Sequence, residues 1–73
     1  MLMTYKLSAI IEHEGRWYVA LCPELGVASQ GETVDVALAN LREAVQLYLE
    51  TAEASEVHLP TEPPLLTTLD IAT

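Results

Sequence analysis

Along residues 3–11 apolar and polar positions alternate. Met3, Tyr5, Leu7, Ala9 and Ile11 stand against Thr4, Lys6, Ser8 and Glu12, with Ile10 the exception. That period of two predicts a half-buried strand. The polar cluster Glu12-His13-Glu14-Gly15-Arg16 follows and reads as a reversal, with Gly15 able to adopt positive φ. Beyond it, Trp17-Tyr18-Val19-Ala20-Leu21-Cys22 is rich in aromatic and β-branched residues, and the two runs together predict a β-hairpin. Pro23-Glu24-Leu25-Gly26 breaks the chain, Val27-Ala28-Ser29-Gln30 supplies a third short strand, and Gly31 ends it.

The period then changes to that of a helix. Thr33 has the hydroxyl of an N-cap, and Glu32 and Asp35 lie where the positive end of a helix dipole favours carboxylates. Val34, Ala37, Leu38, Leu41, Ala44, Val45, Tyr48, Leu49 and Ala52 fall on one stripe. Pro60-Thr61-Glu62-Pro63-Pro64 reads as a linker, and residues 65–72 alternate weakly enough to return as a final edge strand. The expected architecture is one α+β domain over 1–73, β-β-β-α-β, an antiparallel sheet with one helix on one face.

That arrangement leaves a problem. On the second strand Trp17, Val19 and Leu21 alternate with Tyr18, Ala20 and Cys22, so whichever row the helix covers, an apolar row is left on the other side. One helix cannot cover both faces of a sheet. A second copy packed sheet to sheet would. Size points the same way: in 73 residues, 51% of them hydrophobic, apolar burial barely offsets chain entropy, and small domains usually need a further source of stability. The lone Cys22 makes no internal disulfide and has no zinc-finger companions, so a homo-oligomer, dimer or tetramer, is the expected remedy. A reducing cytoplasm fits the cysteine usage. The longest apolar run, residues 17–22, is far short of the roughly 20 residues that span a bilayer.

Charge narrows the partners. Lys6, Arg16 and Arg42 face 11 acids, a net charge of −8, whereas phosphate-driven DNA binding draws on about 6–10 cationic contacts. Direct nucleic-acid binding is therefore not expected. Residues 1–31 hold three acids and two bases, while 32–73 hold eight acids and one base, so the helix and tail carry the acidity. Such a face either solubilises the chain or attracts a basic protein. Glu12 and Glu14 beside His13 read as a solvated turn and not an acid/base pair. His58 has no ligand spacing, and Cys22 reads as a small buried hydrophobe. Ser29-Gln30-Gly31 lacks the pattern of a nucleophile elbow or phosphate loop. No catalytic, cofactor or metal residue is assigned.

Taken together, the tyrosine-containing first strand, Gly15-Arg16-Trp17-Tyr18-Val19-Ala20, the segment from Cys22 through Ser29-Gln30-Gly31-Glu32-Thr33 and the helix Ala37-Leu38-Ala39-Asn40-Leu41-Arg42-Glu43-Ala44-Val45 resemble HicB-family antitoxins over about residues 5–50. The resemblance implies a partial ribonuclease H-like fold, self-association, and neutralisation of a small RNA-cleaving HicA-type toxin by direct binding. Ribonuclease H chemistry gathers several carboxylates around magnesium, and the first three strands here offer only Glu12. A degenerate nuclease is thus the weaker alternative, beside an orphan oligomeric regulatory module without a toxin. Many HicB-like chains continue into a DNA-binding segment, which these 73 residues do not include. The residues expected to contact a partner are Trp17, Tyr18 and Glu24, with Glu43, Glu50 and Glu53 setting the field.

Overall fold

In a computed structural model, residues 4–51 and 59–73 are described. Three strands, β1 (Ile10–Glu14), β2 (Trp17–Cys22) and β3 (Val27–Gly31), form an antiparallel meander in the order β1-β2-β3, followed by the helix α1 (Val34–Thr51). The α+β class and the single helix agree with the sequence pattern.

The first strand lies further along the chain than its alternation suggests. Glu14 pairs with Trp17, so the turn is only Gly15-Arg16, with positive φ confined to Gly15. That pattern is the type II′ hairpin turn, whose backbone twist matches the flanking strands. So tight a turn pulls Glu12, His13 and Glu14 into the ladder, and Ile10 pairs with Leu21 at its other end. Residues before Ile10 have no strand beside them, because β2 stops at Cys22 before Pro23. The Ser8 amide instead donates to both Glu24 carboxylate oxygens, at 3.0 and 3.1 Å.

Between β2 and β3 the chain reverses over four residues. The Cys22 carbonyl accepts from the amides of Leu25 and Gly26, and Gly26 takes φ +68°. Gly31 serves a different need. A Cβ there would lie 2.6 Å from the Ala37 backbone nitrogen and 2.9 Å from the Val36 carbonyl carbon, so the missing side chain lets the helix start directly against the sheet. Thr33 caps that start, its Oγ1 accepting from the Val36 amide at 3.1 Å. Asn40 fixes the helix sideways by donating from Nδ2 to the Gln30 carbonyl at 2.8 Å.

The core is small. Among the described residues Ala20, Cys22, Ala37 and Leu41 are buried, with Leu7, Ile11, Tyr18, Leu25, Val27 and Val45 packed around them. The helix therefore covers the Tyr18/Ala20/Cys22 side of β2. Ala37, Leu41, Ala44, Val45 and Leu49 of the expected stripe face inward, whereas Val34, Leu38 and Tyr48 on its flanks stay exposed; Ala52 lies outside the described residues.

The expected final strand does not form within the chain. Residues 61–73 are exposed and belong to no sheet, with Leu65 at 94%, Leu69 at 81% and Ile71 at 75% of full exposure. Burying one such side chain is worth about 1.5–3 kcal/mol. The radius of gyration, 13.9 Å, exceeds the roughly 11 Å of a compact chain of this length, as a projecting tail requires.

Candidate functional site: an open sheet face and an acidic helix stripe

Alternation along paired strands sorts side chains between two surfaces. Ile10, Glu12 and Glu14 of β1 share a face with Leu21, Val19 and Trp17 of β2 and with Ala28 and Gln30 of β3. This is the side away from the helix, an apolar strip from Ile10 through Leu21 and Val19 to Trp17, bordered by two glutamates. Ile10 and Trp17 are exposed and Val19 and Leu21 half-buried, with no helix or strand among the described residues over them. The apolar row that one helix cannot cover is thus present, and it is the Trp17 row.

Tyr18 points the opposite way. It is half-buried and stacks on His13 across the hairpin, ring centroids 4.4 Å apart and planes 9° from parallel. Trp17 and Tyr18 consequently cannot join in one patch, although both were expected to contact a partner. Glu24 is occupied as well. Both of its oxygens accept from Ser8, and Oε1 lies 3.6 Å from the Cys22 thiol that donates to it. Burial alone would raise its pKa, but the hydrogen bonds received from Ser8 outweigh that and hold it below the ordinary glutamate range. Burial pushes the Cys22 thiol the other way, upward, away from the thiolate that nucleophilic chemistry needs.

Glu43 and Glu50, by contrast, are brought together. Seven residues apart on α1, they lie on one exposed stripe directed away from the sheet. Glu53 and His58 lie outside the described residues. Val36 and Leu47 flank the same stripe, Leu47 at 63% of full exposure, and sequence reasoning missed both. Their spacing from the acids, 36, 43, 47 and 50, was the available signal. The last turn of α1 contains no basic residue, so Glu50 adds its charge to the negative end of the helix dipole. Thr51 Oγ1 donates to the carbonyls of Tyr48 and Leu47, at 3.1 and 3.4 Å, in the same turn.

Among the described residues no group of three His, Cys, Asp or Glu side chains is placed to hold a metal ion, and no helix is long and apolar enough to cross a membrane. What the arrangement offers is two surfaces on opposite sides: a flat apolar strip and a convex acidic stripe with apolar inserts.

Comparison with known proteins adds a family. Residues 6–72 match the model of a family of unknown function, DUF7387. The chain belongs to that family. It is also 36% identical over 69 residues to the UPF0150 protein ssr1765 of Synechocystis, covering 92% of this chain and 87% of that one. A UPF0150 protein of Helicobacter pylori strain J99 is 42% identical over 52 residues, 70% of this chain and 72% of its own length. A second Synechocystis relative, UPF0150 protein ssl0738, is 46% identical over 50 residues, 66% and 69% of the two chains. No solved structure gives a significant match.

Proposed function

We propose that this DUF7387 member is a non-enzymatic, cytoplasmic antitoxin of HicB type, which neutralises a small basic RNA-cleaving toxin of HicA type by covering its RNA surface. The observation that carries the reading is the exposed stripe of α1. Glu43 at mid-helix and Glu50 in the last turn, at the negative end of the helix, stand on one exposed stripe with Val36 and Leu47 between and beside them. An RNA-cleaving protein must present cations to phosphates, and an anionic surface competes for those same cations, while exposed aliphatic side chains among the acids add short-range affinity. The open sheet face, apolar and bordered by Glu12 and Glu14, suits a second copy instead. Trp17 therefore serves self-association in this reading, and partner contact passes to the helix.

Co-expression tests it. The chain is expected to relieve growth arrest by a HicA-type toxin encoded beside it and to co-purify with that toxin. The pair Glu43→Lys and Glu50→Lys should abolish both effects while the far-UV circular dichroism stays unchanged. Failure of the unaltered chain to bind any small basic ribonuclease overturns the antitoxin role. The uncovered Trp17 row then favours the second reading, an orphan oligomeric module. Magnesium-dependent cleavage of RNA by the purified chain would overturn both.

A further inference from the structure

A groove of about 340 Å³ runs between residues 5–9 and α1. Leu7, Ala9, Leu38, Leu41 and Val45 line it, and Arg42 stands among them. Leu38 is exposed along it. Arg42 is the sole cation of the helix, and it forms no ion pair among the described residues. The chain's own tail has the matching chemistry: Leu69 and Ile71 are exposed aliphatic side chains on either side of Asp70, with Leu65 and Leu66 before them.

We propose that residues 65–71 of a second copy seat in this groove, Leu69 and Ile71 on its apolar floor and Asp70 against Arg42, in a reciprocal exchange of tails. Three observations support that occupant. The tail is not buried in its own chain, since all of residues 61–73 are exposed, Leu69 and Ile71 at 81% and 75%. It also leaves from the groove's outer wall, where the Pro60 carbonyl accepts from the Lys6 amide at 3.0 Å; a two-fold axis near this point carries each tail toward its partner's groove, the same patch serving both copies. Finally, nine residues separate Pro60 from Leu69, a reach of about 30 Å at about 3.3 Å per residue, against shorter molecular extents of 28 and 19 Å. Pro63 and Pro64 keep the start of the tail extended and directed outward. The one cation of the helix thereby gains a carboxylate, in a chain whose net charge otherwise makes copies repel.

This deepens the self-association in the proposed function and is separable from it. Light scattering of the full chain over a range of concentrations should give a multiple of 8.0 kDa. Leu69→Asp should weaken association at least tenfold with circular dichroism unchanged, because the side chain is largely exposed in its own copy. Arg42→Glu should do the same, and adding Asp70→Arg to Arg42→Glu should restore the mass. Mixing a Gln46→Cys chain with a Thr68→Cys chain should yield a disulfide-linked heterodimer under mild oxidation. A mass of one chain at every concentration overturns the proposal, as does an unchanged mass for Leu69→Asp. So does a chain carrying both cysteines that closes on itself as a monomer, which would mean that each tail folds into its own groove. If Trp17→Asp lowers the mass and Leu69→Asp does not, sheet-to-sheet assembly stands and the tail exchange falls.

Discussion

The two sides of the sheet are built from alternate residues of the same strands, yet they solve different problems. On the helix side the sheet positions that the helix covers fully are small: Ala20 and Cys22 face Ala37, Leu41 is the largest buried residue among those described, and Tyr18 and Ile11 pack at the margin. On the open side stand Trp17, Val19, Leu21 and Ile10, larger and left uncovered. A chain that needed only to fold would place its bulk beneath the helix, where burial repays it. Here close approach lies on one side and exposed apolar area on the other, the division that the proposed self-association would use.

Gly31→Ala tests the first half of that contrast and carries the largest expected effect. Its Cβ would meet helix backbone at 2.6 and 2.9 Å, and backbone cannot step aside as a flexible side chain can. Overpacking of this kind costs about 3 kcal/mol, which shifts the midpoint of thermal unfolding by roughly 15 °C in a domain this small. Gln30→Ala, one residue away with its side chain on the open face, should stay within about 0.5 kcal/mol. A Gly31→Ala chain as stable as the wild type would show that the helix is not seated as closely as described.

Trp17→Asp probes the other side. It should leave the circular dichroism of the chain intact and weaken self-association at least tenfold, about 1.4 kcal/mol, read as a fall in light-scattering mass. An unchanged mass would mean that the open side is not where copies meet.

The strands and helix were legible because their periods of two and 3.6 are long and regular, and Thr33 announced the helix start. The first strand was misplaced by the polarity of Glu12, His13 and Glu14. At the edge of a sheet such residues cost little, so the two-residue turn and not hydropathy set the register. The site was less legible still. Composition located the acidity on the helix but could not show that Trp17 and Tyr18 part to opposite faces, since that depends on which side the helix lands. Nor could it show that Glu24 is drawn inward, because the Ser8 amide that holds it is sixteen residues away. The weak alternation of residues 65–72 reads as a strand, yet no strand forms there within the chain, because a period of two does not supply an edge for it to pair with.

Glu24 gives the comparison a pH dependence. It ties residues 5–9, one wall of the groove, to the end of β2, and its pKa is lowered in the folded chain. A depressed carboxylate contributes stability that is fully present above its unfolded value and is lost as pH falls through the folded one. The brace should hold at neutral pH and release only in acid, below about pH 4.5. Exchange of the Ser8 amide, followed by NMR, should accelerate across that window, and Glu24→Gln should remove the titration at a cost of about 1 kcal/mol, the charged bond being partly open to solvent. Ser8 exchange that ignores acid would leave the wall held by something else.

Glu50→Lys carries the smallest expected change in stability and separates folding from function most directly. A carboxylate in the last turn of a helix opposes the negative end of the dipole, and a lysine there complements it. Replacing one by the other should therefore stabilise the chain by about 0.5 kcal/mol, measured in urea, while the acidic stripe loses two units of charge and a basic partner binds more weakly and with a shallower dependence on salt. If the residue were there only for solubility, stability would rise and binding would not move. A simultaneous gain in stability and loss of affinity identifies Glu50 as a group kept against the interest of its own helix, which is the mark of a surface shaped by what it binds.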